Sequence, residues 1–233
     1  MWAAQQEALS SQHRVITVDL RGHGESDAPL WHYTLDQAAD DVRGLLDHLS
    51  IPQAVFVGLS MGGYILFAFY RKFARYVKGL VLADTRAQAD TPDSKAGRFQ
   101  MAQIAYNQGP AAIADLMIPK LLSPAAIQAK PALVQRVRSM IEGNQISGIV
   151  GDLMAMAERP DSVPLLHQIA CPARIIVGEL DIATPLHDSQ LMADQIPGAR
   201  LTTVPGAGHL SNLEQPETFN EIVAVFASIC AKA

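Results

Sequence analysis

Cysteine, clustered positive charge and long apolar runs are all scarce in this chain. Its 233 residues include two cysteines, Cys171 and Cys230. Neither belongs to a CxxC, and no His/Cys cluster has zinc spacing, so the sequence gives no support to a zinc site or a redox dithiol. A domain of this length needs no staple, and the two residues read as unpaired thiols in a reducing compartment. Eighteen basic residues stand against 23 acidic ones, for a formal net charge of −5. No Lys/Arg run stands out, which leaves a nucleic-acid partner without an electrostatic footprint. The N-terminus lacks a basic start followed by an apolar segment, so it does not read as a secretory signal. The longest apolar run, Ile65 to Tyr70, is far shorter than the ~18 residues of a membrane span. Repeats and low-complexity linkers are also lacking. These absences point to a cytoplasmic protein with neither a membrane nor a nucleic-acid partner, suited to neutral small molecules.

What is present is a regular alternation of strand-like and helix-like segments. Arg14 to Asp19 is short, β-branched and apolar, and predicts a buried strand ending in the Arg21-Gly-His-Gly24 loop. Leu35, Ala38, Ala39, Val42, Leu45, Leu46 and Leu49 recur at three- and four-residue spacing and mark one helix face. Thr34-Leu-Asp-Gln37 supplies a capping box before it, and Ile51-Pro52 stops it. Ala54 to Gly58 predicts a second strand, Met61 to about Tyr70 an apolar helix, and Gly79 to Ala83 a third strand. This order implies parallel pairing with crossover helices, hence an α/β fold. From Arg86 to about Pro160 no strand-like run occurs, and residues 131–141 carry a helical stripe. This block is expected to be a helical cap inserted into the sheet domain, which would then comprise residues 1–85 and 161–233. The alternation resumes with a strand at 173–178, a helix near 187–196, a strand at 200–204 and a last helix from about Pro216.

Gly58-Leu-Ser-Met-Gly62 fits G-x-S-x-G and lies directly between a predicted buried strand and a helix. That junction forces Ser60 into a tight turn, with the flanking glycines letting strand and helix approach. The hydroxyl then projects toward substrate, and the backbone N–H of Met61, at a helix N-terminus, is placed to stabilise a developing oxyanion. Serine needs an adjacent base. Among seven histidines, His209 follows a predicted strand in the Gly-rich loop Val204-Pro-Gly-Ala-Gly-His209, at the sheet edge where Ser60 also sits. His23, in a loop at the same edge, is second choice. His48 reads as a surface residue. Asp181 follows the Ile175-Ile-Val-Gly178 strand and is the candidate acid to orient His209. Glu179 reads as a loop charge, and Asp84, at the end of the third strand, is the rival acid. The resulting order is Ser, Asp, His.

Val15 to Ser26, Val57 to Gly63, Gly79 to Asp84, Val177 to Asp181 with Thr184-Pro185, and Pro205 to His209 together resemble the α/β-hydrolase superfamily. The resemblance covers nearly all of the chain. It is specific for the fold, a mostly parallel sheet with flanking helices and an inserted helical cap, and for a Ser60–Asp181–His209 triad. It is weak for substrate: esterases, 3-oxoadipate enol-lactonases, aminoacrylate-type hydrolases and cofactor-free haloperoxidases look similar over these stretches. The insert beginning Asp84-Thr-Arg-Ala-Gln-Ala-Asp-Thr-Pro92 leans toward esterases and enol-lactonases. Relatives often carry His where this chain has Leu59, and Pro near Ala74.

Relatives also open with further strands and a His-Gly loop that donates a second oxyanion N–H, upstream of a segment like Met1-Trp-Ala-Ala-Gln5. The resemblance therefore implies that Met1 is an internal methionine of a longer natural chain. It also implies that a strand belongs between those of Val15 and Val55. Loss of one oxyanion donor costs roughly 10²–10³ in turnover.

The activity implied is hydrolysis of a carboxylic ester of a small to medium substrate through an acyl-enzyme, with a small-molecule ester or lactone as partner and no metal or organic cofactor. The alternatives are a ring-opening enol-lactonase of aromatic catabolism, which wants a cationic contact from Arg86, Arg98, Arg136, Arg138 or Arg159, and an inactive hydrolase-like binding protein.

Overall fold

The computed structural model describes residues 1–30 and 32–232. Four parallel strands form one sheet in the order β1-β2-β3-β4: β1 Ala54–Leu59, β2 Val77–Ala83, β3 Ala173–Gly178 and β4 Arg200–Val204. The register pairs Leu59 with Ala83 and Ala83 with Ile176, so the carboxyl ends of the first three strands lie side by side.

β2 shows why these residues pair in the middle of a sheet. Leu80, Val81, Leu82 and Ala83 are all fully buried. Leu80 and Leu82 join one apolar cluster while Val81 and Ala83 join the other. That is the two-residue alternation of a strand covered on both faces. Before β1 come α1 Ala3–Leu9 and α2 Leu35–His48. In the α2 capping box the Thr34 hydroxyl accepts from the Gln37 N–H and the Gln37 side chain accepts from the Thr34 N–H, both at 3.1 Å. α3, Met61–Phe73, packs with α2 on the first face.

Between β2 and β3 every regular element is a helix: α4 Pro92–Gln108, α5 Pro110–Leu121, α6 Pro124–Ala129, α7 Pro131–Glu142, α8 Ile146–Glu158 and α9 Val163–Leu166. Proline opens each of α4 to α7, where its fixed φ suits the first turn and its missing N–H is not needed. Ala114, Ile118, Leu122, Ala126 and Val137 of this insert pack in one cluster with Leu59, Val81 and Ile176 of the sheet. α10 Leu186–Gln195, α11 Ser211–Glu214 and α12 Pro216–Lys232 complete the chain.

One expected strand is not formed. Residues 14–20 run between helices without a ladder, with Ile16 and Val18 exposed by 40% and 41%. β-branched composition favours a strand only where a neighbour offers hydrogen bonds. β1 pairs with β2 on one side, and among the described residues no strand lines its other side. Asp19 instead organises its own loop, where its side chain accepts from the Glu25 N–H and its carbonyl from the Ser26 hydroxyl.

Candidate active site

Ser60 caps β1 and begins the turn into α3 with φ +52° and ψ −114°. A non-glycine residue held there costs about 1–3 kcal/mol and persists only when its surroundings fix it. Here the Ser60 N–H donates to the Ala83 carbonyl at 2.9 Å, and the Thr85 hydroxyl donates to the Ser60 carbonyl at 2.7 Å. Crowding at the turn is one-sided. A Cβ on Gly58 would lie 2.6 Å from the Gly62 backbone, whereas one on Gly62 would meet nothing within 4 Å. Among the described residues the Ser60 hydroxyl has no hydrogen-bond partner, and the Met61 N–H, at the start of α3, has no acceptor.

Asp181 and His209 are brought together. His209 Nδ1 lies 2.9 Å from Asp181 Oδ2, and the two residues are 4% and 5% exposed. Asp181 Oδ1 accepts from the N–H groups of Ala183 and Thr184, and Oδ2 also accepts from the Thr184 hydroxyl at 2.6 Å. Burial pushes the Asp181 carboxyl up, but the His209 and Thr184 contacts outweigh it and hold the group below its ordinary value. An ionised carboxylate only accepts, so Nδ1 of His209 carries the proton in this contact and Nε2 points away from Asp181. Ser60 and His209 share the carboxyl edge of the sheet, without a hydrogen bond between their side chains.

β4 is separated from β1 by two strands, and the loop after β4 crosses that gap. The Leu180 N–H donates to the Ala207 carbonyl over the end of β3, and the Ser211 hydroxyl donates to Asp84 Oδ2, at the end of β2, at 2.5 Å. β2 is the immediate neighbour of Ser60's strand, about 4.8 Å away. Asp84 is thus near the histidine loop without touching the imidazole. It sits at φ +45° and accepts from Ser211 and from the Gly178 N–H at 2.7 Å. Complete burial raises its carboxyl to about 7, against the opposing pull of His209, Ser211 and Gly178.

The remaining histidines lie elsewhere. His23 faces Asp152 of α8 at 3.5 Å, His32 pairs with Glu158, and His48 is exposed. Glu179 accepts from the Gly206 N–H on the surface. Of the five candidate arginines, four are engaged by carboxylates: Arg86 by Asp188, Arg98 and Arg159 by Asp90, and Arg138 by Asp115 and Glu142. Arg136 is exposed on α7 and makes no ion pair among the described residues. Nor do those residues hold a group of three or more His, Cys, Asp or Glu side chains arranged for a metal ion. Thr85 and Thr184 lie in stretches that carry the resemblance, which implies no role for them, and Ser211 carries no periodic or motif signal that would have marked it. Each acts across a turn or between strands distant in sequence.

Residues 1–216 match the model of the α/β hydrolase fold family. The chain is 33% identical over 223 residues to 3-oxoadipate enol-lactonase 2 of Acinetobacter baylyi, covering 96% of this chain and 82% of that protein. A thermophilic esterase of Thermogutta terrifontis, solved with malate bound, superposes with a TM-score of 0.96 at 39% identity, covering 98% of this chain and 85% of that one. The enol-lactonase of Burkholderia xenovorans superposes with a TM-score of 0.91 at 32% identity, covering 97% and 85%. The chain belongs to the α/β-hydrolase family. It is a hydrolase of the esterase and enol-lactonase type.

Proposed function

We propose that this protein hydrolyses carboxylic esters of small to medium uncharged substrates through a Ser60 acyl-enzyme. The observation that carries the proposal is the buried Asp181–His209 pair at the sheet edge where Ser60 leaves a strained turn. His209 Nε2 takes the Ser60 proton as the hydroxyl oxygen attacks the carbonyl. Asp181 holds the ring in that tautomer and stabilises the imidazolium. The Met61 N–H donates to the tetrahedral oxyanion. His209 then protonates the leaving alcohol, and the same nitrogen activates the water that clears the acyl group. Residues 1–85 and 161–233 serve as the hydrolase core and 86–160 as a helical cap that selects substrate. Two free thiols suit a reducing compartment, the cytoplasm.

A neutral ester is preferred over an acidic lactone because four of the five arginines available to bind a carboxylate are already neutralised. The lactonase reading draws on the enol-lactonase relatives, with exposed Arg136 as its free cation. Both are tested together by comparing turnover of a p-nitrophenyl ester with that of a carboxylated enol-lactone. Burst release of nitrophenol, with fluorophosphonate labelling of Ser60, is expected. Faster turnover of the lactone, weakened by Arg136→Ala, would reverse the preference. A folded chain that neither turns over nor labels would be a hydrolase-like binding protein.

A further inference from the structure

Glu214 is a carboxylate that the catalytic scheme does not use, and it is 2% exposed. It lies at the end of α11, five residues past His209, and every side-chain partner it has is a donor. Oε1 accepts from the Gly208 N–H at 2.8 Å, and the Ser123 N–H reaches both carboxylate oxygens at 3.1 and 3.2 Å. Oε2 accepts from the Ser123 hydroxyl at 2.5 Å. Gly208 directly precedes His209, while Ser123 caps α6 in the helical insert. A second bond runs beside this one: the Leu210 N–H donates to the carbonyl of Leu121, the last residue of α5, at 3.0 Å. The backbone on both sides of His209 is therefore bound to the α5–α6 junction. The fit leaves no room for a side chain at Gly208, where a Cβ would stand 2.7 Å from the Ser123 nitrogen.

We propose that Glu214 is a positioning residue, which clamps the His209 loop to the α5–α6 junction so that the insert sets where the imidazole stands. The proposal rests on the reading of His209 as the catalytic base. Asp181 fixes the ring through Nδ1, and Glu214 fixes the peptide that carries the ring. The insert then acts on the base as well as on the substrate, and a shift of α5 or α6 is transmitted to His209 without passing through Asp181.

The test compares wild type with Glu214→Ala, Glu214→Gln and Ser123→Ala. It measures kcat and KM on p-nitrophenyl butyrate, the His209 Nδ1 proton resonance by NMR, and thermal unfolding. A displaced catalytic group costs roughly 10- to 100-fold, so Glu214→Ala is expected to lower kcat by that factor while KM holds within about threefold. Glu214→Gln keeps an acceptor oxygen for Gly208 and a partner for Ser123, and is expected to restore most of kcat. The Nδ1 resonance shifts or broadens in the alanine variant and returns in the glutamine variant. A folded Glu214→Ala protein with wild-type kcat and resonance overturns the proposal, as does equal loss in the alanine and glutamine variants. If Glu214→Ala does not fold, Ser123→Ala decides: a perturbed resonance supports the clamp, an unchanged one overturns it. Wild type that neither turns over ester nor labels at Ser60 defeats the hydrolase reading, while the resonance comparison still decides whether Glu214 positions His209.

Discussion

Ser60, at the end of β1, is held by its backbone alone, whereas the Asp181 and His209 side chains, beyond β3 and β4, are themselves held by hydrogen bonds. The serine's N–H and carbonyl are engaged by Ala83 and Thr85, its φ is +52°, and its hydroxyl is left unbonded among the described residues. Asp181 takes three donors from Ala183 and Thr184 besides His209. On the proposed mechanism, the difference follows from what each group would have to do. A nucleophile has to keep its reacting oxygen available, so only the main chain can hold it. An acid–base pair works through orientation and charge, and a buried charge is tolerable only when hydrogen-bonded. One half of the site therefore stores strain, and the other stores satisfied polar contacts.

Mutations that remove the same activity should then move stability in opposite directions. Ser60→Gly is expected to abolish ester turnover, by roughly 10⁴-fold or more. It also relieves the positive φ and is expected to add about 1 kcal/mol of stability in thermal or denaturant unfolding. Asp181→Asn is expected to lower kcat by about 10³- to 10⁴-fold. It should also destabilise the protein by roughly 1–3 kcal/mol, because buried donors lose their acceptor. A stabilised Asp181→Asn or a destabilised Ser60→Gly would break the contrast.

Asp84 sharpens it through pH. Its folded carboxyl titrates near 7, above the ordinary 3.8. The folded state thus binds the proton more tightly, and the stability this supplies is complete below about pH 4 and lost as pH rises through 7. Asp84→Asn keeps an acceptor for Gly178 and a partner for Ser211 without the charge. Its stability relative to wild type is expected to rise by about 2–3 kcal/mol from pH 5 to pH 8, read as denaturant midpoints at each pH. A difference independent of pH would mean that Asp84 does not titrate in this range. Thr34→Ala, in the α2 capping box, provides the smallest effect: about 1 kcal/mol of stability lost with kcat unchanged.

Local features of the sequence carried much of this architecture. The apolar run of β2, the three- and four-residue spacing in α2 and its capping box each depend on a few adjacent residues, and each formed where expected. The turn at Ser60 was legible for the same reason, since strand, glycine and helix are contiguous there. Residues 14–20 had strand composition and formed none, because a ladder requires a neighbour and composition cannot provide one. The prolines that open α4 to α7 suit a first helical turn, but nothing local to them says where the helices pack.

Asp181 and His209 could be nominated from their places after strands, as could Asp84. The sequence preferred Asp181 and kept Asp84 as rival, and the folded chain supplies the distances: Asp181 faces Nδ1 at 2.9 Å, while Asp84 is turned toward Gly178 and Ser211. The contacts that orient the histidine loop join residues far apart in sequence, Asp84 to Ser211 and Ser123 to Glu214. Sequence periodicity reports which face of an element is apolar, and motifs report short-range geometry. Neither encodes the distance between loops that meet only after the sheet has formed, and there the tertiary structure alone decided which carboxylate holds the ring and which hold the chain around it.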